Sequence, residues 1–312
     1  MIALLKSLTW CMNTLPLRLL QGAGRGLGRA AFRLDRRHRD IALANLESAF
    51  GDEMSSEERA AIAVGLFETL GMNMMEFSRI PWLDKSSLRG YVTCEGLDNF
   101  RAAHEKGKGV IFITAHLGNW ELMAAFYGLI GYPLDIVVRD LDNKGTDDFV
   151  RWTRTRSGNR VVPKEKSMRG LLRTLKKGGV VGILLDQNVT WSEGVFVNFF
   201  GKPACTNKGA ALLAAASAAA VVPTFIVRKG RRHRIIIGPE IPVVNTGKRS
   251  ADGVENTFRF TKVIEEMVRR YPDQWFWVHQ RWKSQPENDP RRGTELAAPV
   301  RKGPASEKAV RR

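Results

Sequence analysis

From residue 91 onward, the sequence predicts an α/β fold with a largely parallel central sheet covered by helices. Short apolar runs alternate there with helix-like stretches, which is the pattern of successive strand–helix–strand units. The runs at 110–113 and 180–185 are apolar at consecutive positions, as expected for buried strands. A polar side chain follows each run closely, and open α/β sheets place their chemistry at the carboxyl ends of their strands.

Strands are predicted at 91–94, 110–113, 134–139, 161–162 and 180–186, and helices at 97–105, 121–131, 146–157 and 167–177. The longest apolar run, 209–227, is rich in alanine and contains Pro223. We expect this run to form a buried helix and a strand, split at the proline, rather than a membrane span. A strand at 234–238 and a helix at 257–271 follow.

Three segments toward the C-terminus are less regular. Residues 194–206 mix aromatic and small residues, and we expect a loop that walls an apolar cleft. The tryptophan-rich segment 275–283 is interpreted first as a packed C-terminal strand. A stacking platform for nucleic acid or a membrane-proximal aromatic belt are its alternatives. Residues 286–312 are rich in proline and charge, which predicts a disordered basic tail.

The N-terminal segment, residues 1–30, is predicted to associate with a membrane. It is too short and too polar for a membrane span, and it lacks the features of a signal peptide. An amphipathic anchor with Trp10 at the interface fits, and an ordinary packing helix is the alternative. The glycines of 22–28 follow no strand, so they indicate a loose turn or a close helix contact rather than a dinucleotide site. The main domain is placed at 31–285.

Two helices are predicted between this segment and the sheet. Residues 31–50 are typical of a basic amphipathic helix. Ser55 and Glu58 have the spacing of a capping box, which predicts the start of the next helix. Pro81 lies at or just beyond the end of that helix.

The net charge of +17 indicates a partner that is rich in negative charge. Nucleic acid, an anionic membrane surface and an acidic protein or substrate all qualify, and a merely solvated surface is the fourth possibility. The three cysteines are widely spaced, which suggests neither a disulfide framework nor a zinc site. No metal or bound cofactor is expected.

The segment GVIFITAHLGNWE at 109–121 is the strongest candidate for a catalytic site. His116 follows a buried strand, and Glu121 lies five residues further, at the start of a helix for which Asn119 would be the N-cap. Positions five residues apart lie on different sides of one helix, so the two side chains meet only if His116 is in the turn. This arrangement suggests an imidazole base oriented by a carboxylate. Asp186 ends its own strand, and we expect it to face the same crevice.

HLGNWE resembles the H-x4-D/E motif of the lysophospholipid acyltransferase superfamily, in particular its lipid A biosynthesis (late acyltransferase) branch. The resemblance extends over residues 15–283 and also includes the segments RTRS, LLDQN, FVNFFGKPACT and WFWVHQRWK. It implies a glycerolipid-acyltransferase-like α/β domain. It also implies transfer of an acyl group from acyl-acyl carrier protein, or less often acyl-CoA, to a hydroxyl of a membrane glycolipid or lysolipid. The reaction would take place at the cytoplasmic face of the inner membrane.

The resemblance also implies roles for individual residues. His116 would be the general base for the acceptor hydroxyl, and Glu121 would orient its imidazolium and stabilise the charge. Arg154 would stabilise the oxyanion or hold a phosphate, and Asp186 matches the acidic residue at the end of a strand. A further group would contact the substrate, namely Asn119, Arg156, Phe199, Phe200 and Gly201.

The implied partners agree with the charge. Acyl carrier protein is acidic, the glycolipid acceptor is anionic, and the inner leaflet of the membrane is negative. The alternatives are an acyltransferase for another lysolipid, such as lysophosphatidic acid, and a catalytically inactive lipid-binding member. A basic nucleic-acid-binding protein is the rival from another class, although no nucleic-acid motif accompanies the charge.

Overall fold

The computed structural model of the chain describes residues 2–138, 142–163, 167–288 and 300–301. Its helices are α1 (Ile2–Thr14), α2 (Leu17–Leu34), α3 (Arg36–Phe50), α4 (Ser56–Phe77), α5 (Leu97–Glu105), α6 (Trp120–Leu129), α7 (Lys144–Thr155), α8 (Ser167–Lys176), α9 (Gly209–Ser217) and α10 (Arg249–Arg270). Its strands are β1 (Val92–Glu95), β2 (Val110–Thr114), β3 (Leu134–Val138), β4 (Arg160–Pro163), β5 (Val180–Leu184), β6 (Gly194–Phe199), β7 (Lys202–Asn207), β8 (Ala220–Lys229), β9 (Arg232–Ile237) and β10 (Val300–Arg301).

Seven strands form a central sheet in the order β1-β9-β8-β2-β5-β3-β4. Every neighbouring pair is parallel except β8 and β9, which pair antiparallel. The predicted fold class, a largely parallel sheet covered by helices, is therefore confirmed. The strand β2 is buried at all five positions because apolar clusters cover both faces of the sheet.

The N-terminal helices α2 and α4 pack closely through glycines. A Cβ at Gly71 would lie 2.1 Å from the Gly24 carbonyl oxygen, and a Cβ at Gly28 would lie 2.1 Å from the carbonyl oxygen of Phe67. Only glycine permits this approach of two backbones. Of the two interpretations of segment 22–28, the close helix contact is the one observed. Within the described residues, no helix is long and apolar enough to cross a membrane.

The single helix predicted over 31–50 is wrong, because the chain forms two helices that meet at Asp35. The Asp35 carboxylate accepts a hydrogen bond from the backbone N–H of His38, which starts α3 as an N-cap does. The capping box of Ser55 and Glu58 is confirmed, and both of its hydrogen bonds are present at the start of α4.

Three local predictions further along the chain are corrected. Residues 194–206 form the β6–β7 hairpin rather than a loop, because the two segments pair in antiparallel register. The break within 209–227 lies at Ala218, which has a φ of 53°, and Pro223 sits inside β8. Segment 275–283 is packed, as predicted, but forms turns with one isolated bridge instead of a strand. Most of the predicted disordered tail, 289–299 and 302–312, lies outside the described residues.

Candidate active site

The parallel register of β2 and β5 brings His116 and Asp186 together. Thr114 pairs with Leu184 at the carboxyl ends of the two strands, and each candidate residue follows two positions later. The turn after His116 depends on Gly118, which has a φ of 59° and whose Cβ would lie 2.1 Å from a β8 carbonyl oxygen. The chain therefore turns sharply at this point and enters α6.

The Asp186 carboxylate accepts three hydrogen bonds. Its Oδ1 lies 2.8 Å from Nδ1 of His116, and its Oδ2 accepts from the His116 backbone N–H at 2.9 Å. The Trp275 indole N–H also donates to Oδ2, at 2.7 Å. Asp186 is 2 % exposed, whereas Nε2 of His116 has no hydrogen-bond partner among the described residues. The carboxylate therefore fixes the imidazole with its Nε2 available to a substrate.

Burial and charge oppose each other in this pair. Burial lowers the pKa of His116, but the Asp186 charge and hydrogen bond outweigh burial and raise the net pKa above 6.5. Burial raises the pKa of Asp186, but the charge and hydrogen bonds of His116 outweigh it, so the net pKa lies below 3.8. The pair thus favours an ionised carboxylate beside an imidazole of increased basicity.

The hydrogen bond that we predicted from His116 to Glu121 is not observed; Asp186 occupies that position instead. Glu121 forms a bidentate ion pair with Arg154, whose Nε and Nη2 donate to its two oxygens at 2.9 and 2.5 Å. The Glu121 charge nevertheless contributes to raising the pKa of His116. The physical reason is the helix geometry, which directs Glu121 from the first turn of α6 toward α7.

Asn119 is the predicted N-cap of α6, and its Oδ1 accepts from the backbone N–H of Leu122 at 3.1 Å. Its Nδ2 donates to the buried Glu76 carboxylate at 2.8 Å. Glu76 also accepts two hydrogen bonds from Arg228 and one from Gln21. Because these groups are buried and joined by several hydrogen bonds, they hold the start of α6 in place beneath the site.

A cavity of about 1410 Å³ opens beside His116, Glu121 and Arg154. Ligand pockets commonly measure about 300–1,000 Å³, so this one has room for a large ligand. Its lining is mostly apolar and reaches both faces of the sheet at β5, where Gly182 and Ile183 point in opposite directions. Both are only half-buried, although β5 is a central strand.

Four of the predicted substrate-contacting residues do not line this cavity. Phe199 and Phe200 are buried at the tip of the β6–β7 hairpin, where they pack on Trp275 and Trp277 respectively. Gly201 is exposed in the same turn. Arg156 is exposed at the end of α7. It lies two positions after Arg154, and residues two positions apart on a helix do not share a face.

His279 lines the cavity, although it belongs to segment 275–283, for which packing was the first interpretation. Its Nε2 accepts a hydrogen bond of 2.9 Å from the backbone N–H of Asn188, so the neutral ring carries its proton on Nδ1. Burial lowers the pKa of His279 to about 4, so the ring is neutral near pH 7. No local pattern in the tryptophan-rich segment distinguishes it from a core histidine. Within the described residues, no cluster of three or more His, Cys, Asp or Glu could hold a metal.

The family model described as bacterial lipid A biosynthesis acyltransferase matches residues 2–284. The lipid A biosynthesis lauroyltransferase of Escherichia coli (strain K12) is 31 % identical over 287 residues, which cover 91 % of each chain. The palmitoleoyltransferase of the same organism is 30 % identical over 283 residues, 89 % of each chain. Its myristoyltransferase is 25 % identical over 81 % of this chain and 77 % of the relative. The chain belongs to the bacterial lipid A biosynthesis acyltransferase family.

Proposed function

We propose that this acyltransferase moves a fatty acyl group from acyl-acyl carrier protein to a hydroxyl of a lipid A precursor or related glycolipid. The observation that carries the proposal is the His116–Asp186 pair at the mouth of a large apolar cavity. Family membership supports the reaction class, and the names of the relatives support the acceptor class.

In the proposed reaction, Nε2 of His116 takes the proton from the acceptor hydroxyl. The hydroxyl oxygen then attacks the carbonyl carbon of the thioester, so that no covalent intermediate with the enzyme forms. The imidazolium beside Asp186 is stabilised by the carboxylate charge. When the tetrahedral intermediate collapses, the carbon–sulfur bond breaks and the imidazolium returns the proton to the leaving thiolate.

The oxyanion of the tetrahedral intermediate needs donors. Glu121 accepts from two nitrogens of Arg154, and Nη1 has no partner among the described residues. Burial lowers the pKa of Arg154, but the charge of Glu121 outweighs burial and raises the net pKa, so the guanidinium stays charged. The Nδ1–H of His279 has no protein partner among the described residues and is held by the backbone of Asn188. We assign both groups to the oxyanion, since fixed donors that need no reorganisation stabilise developing charge most strongly.

The donor and the membrane are assigned from charge and surface. The net charge of +17 suits an acidic carrier protein and an anionic bilayer at the cytoplasmic face of the inner membrane. The helix α1 leaves Leu4, Leu8 and Trp10 more than half exposed, which supports shallow insertion of this segment into the interface. Coenzyme A thioesters are the alternative donors.

The proposal is tested by incubating the full chain with acyl-acyl carrier protein and inner-membrane lipid, with product identification by mass spectrometry. We expect wild type to add one acyl group to a glycolipid and His116→Ala to form no product above background. His38→Ala is the matched control, because His38 is an exposed histidine paired with Asp35 outside the cavity. Equal product from His116→Ala and wild type would remove His116 from the mechanism. If acylated product formed only from a lysophospholipid, the acceptor would be a lysophospholipid and not a glycolipid.

A further inference from the structure

A second concave site lies on the same edge of the sheet as His116. It has a volume of about 320 Å³, and four arginines line it, namely Arg79, Arg89, Arg231 and Arg232. They come from three separate parts of the chain: Arg79 follows α4, Arg89 lies in the loop before β1, and Arg231 and Arg232 lie at the turn from β8 into the start of β9. The fold therefore brings arginines from distant parts of the sequence to one pocket.

The topology fixes which edge this is. The strand β8 runs parallel to β2 and β9 runs antiparallel to β8, so the start of β9 lies at the edge where β2 ends. The strand β1 is parallel to β9 and begins at that edge too. Because β9 and β1 are the second and third strands from β2, the arginine pocket is displaced by about 10 to 14 Å across the sheet from β2. It also lies further along the strand direction than His116, since β8 continues to Lys229, six residues beyond Pro223, the partner of Ile113.

The positive charge of this pocket is not compensated. None of the four arginines forms an ion pair with a carboxylate within the part of the chain that the structure describes. Arg79 donates to the Leu15 carbonyl oxygen at 3.2 Å, and the other three are exposed. The buried Glu76 nearby is already neutralised by Arg228. The positive charges of these arginines repel one another, and a bound anion would offset this repulsion.

The surroundings of the pocket favour a lipid as the source of that anion. Leu17 lines the pocket, and Leu15 and Leu19 are exposed beside it at the junction of α1 and α2. A site for an acidic protein would be expected to have a polar rim. This pocket instead lies where arginines meet apolar side chains, which suits the phosphate of a lipid whose acyl chains contact the leucines. Guanidinium forks also match the geometry of phosphate oxygens.

We propose that Arg79, Arg89, Arg231 and Arg232 bind a phosphate of a membrane lipid headgroup. The proposal rests on the proposed function in that the acceptor hydroxyl is taken to lie at His116. The phosphate has two sources. It belongs either to the acceptor itself, whose sugar headgroup then spans the distance between the two sites, or to a neighbouring lipid of the bilayer.

The pocket is coupled to the catalytic turn. The Arg231 carbonyl oxygen accepts from Nε2 of Gln21, which also donates to Glu76 at 2.7 Å. Glu76 in turn accepts from Asn119, the N-cap of α6. A phosphate bound here would therefore be held in fixed register with the helix that carries Glu121.

The first experiment measures binding of the full chain to phosphatidylcholine vesicles that contain phosphatidic acid. Vesicles with the same negative charge supplied by oleate serve as a comparison. We expect Arg89→Gln/Arg232→Gln to lower the affinity for the phosphatidic acid vesicles by about 10- to 30-fold, and less for the oleate vesicles. The matched control is Arg101→Gln/Arg249→Gln, which removes two exposed arginines from α5 and α10. Its affinity should stay within about twofold of wild type.

An equal loss for both double variants would reduce the effect to net charge and overturn the proposal, as would an equal loss on both kinds of vesicle or no loss at all. This measurement needs no turnover, so it decides the pocket even if acyl transfer to a glycolipid fails. A thermal unfolding scan of each variant verifies that it is folded.

The second experiment identifies the source of the phosphate by kinetics in detergent micelles. If the acceptor supplies the phosphate, the pocket variant raises KM for the acceptor with little change in kcat, and phosphatase treatment of the acceptor removes the difference. If bulk lipid supplies it, KM in micelles is unchanged and only vesicle binding falls.

Discussion

Replacing Asp186 by asparagine should inactivate the enzyme by changing the tautomer of His116. The two donors on Oδ2, the His116 backbone N–H and the Trp275 indole, require an oxygen at that position. The asparagine must therefore place its amide oxygen there and its NH2 group opposite Nδ1 of His116. Nδ1 then has to accept, so the proton moves to Nε2 and the imidazole can no longer take a proton from the acceptor.

The magnitude follows from the hydrogen bonds that are exchanged. The opposite amide orientation would leave two buried donors facing an NH2 group, at about 1–3 kcal/mol for each unsatisfied group. The active tautomer is therefore a minor species, and the imidazolium also loses its adjacent negative charge. An equivalent Asp-to-Asn change in a serine protease triad lowers kcat by about 10⁴. We expect a loss of about 10³ to 10⁴ here, or about 4–5.5 kcal/mol in activation free energy.

The assay is the initial rate of acyl transfer, measured across pH for wild type and Asp186→Asn. Asp135→Asn is the matched control, since Asp135 is a buried carboxylate of the same sheet that contacts Arg160 and Thr174. A rate for Asp186→Asn within about tenfold of wild type would refute the tautomer argument. Loss of the thermal unfolding transition would instead assign Asp186 to stability.

The direction of the pH dependence follows from the pKa of His116. The base must be unprotonated to act, and the pKa of His116 is raised above 6.5. The rate of wild type should therefore fall as the pH decreases through a value above 6.5. Residual activity of Asp186→Asn should fall at lower pH, because the carboxylate charge that raises the pKa is gone.

Three further changes test other parts of the structure. Glu121→Gln breaks the bidentate pair with Arg154. We expect kcat to fall by about 10- to 100-fold. In pH–rate profiles the decrease in rate on the acid side should occur at lower pH than in wild type, because the Glu121 charge contributes to the raised pKa of His116. Gly71→Ala places a Cβ 2.1 Å from a carbonyl oxygen of α2. In denaturant titrations this change should lower the unfolding free energy by about 3 kcal/mol. Gly26→Ala is the control and should not lower it, because the space around Gly26 is open. Gly182→Leu would place a leucine side chain in the cavity, where the nearest atom to a Cβ at this position is 3.6 Å away. When thioesters of different acyl length compete, this variant should prefer shorter acyl chains than wild type does. An unchanged preference would show that the acyl chain binds elsewhere.

Most of the strands and helices between residues 91 and 186 could be predicted from the sequence alone. The consecutive apolar residues at 110–113 and 180–185 form the strands β2 and β5, the Ser55–Glu58 spacing starts a helix, and Asn119 caps α6. These features depend on residues within a few positions of each other, so local physical chemistry is enough to predict them. The position of His116 at the end of β2 is of the same kind.

The choice of the carboxylate that orients His116 depends on the tertiary structure. Asp186 lies 70 residues away along the chain, and its contact depends on β5 lying beside β2 in a register that pairs Thr114 with Leu184. Glu121 is much nearer in sequence, yet helix geometry directs it to Arg154 on α7. Strand order and register are set by packing of the whole sheet, and no local pattern contains them.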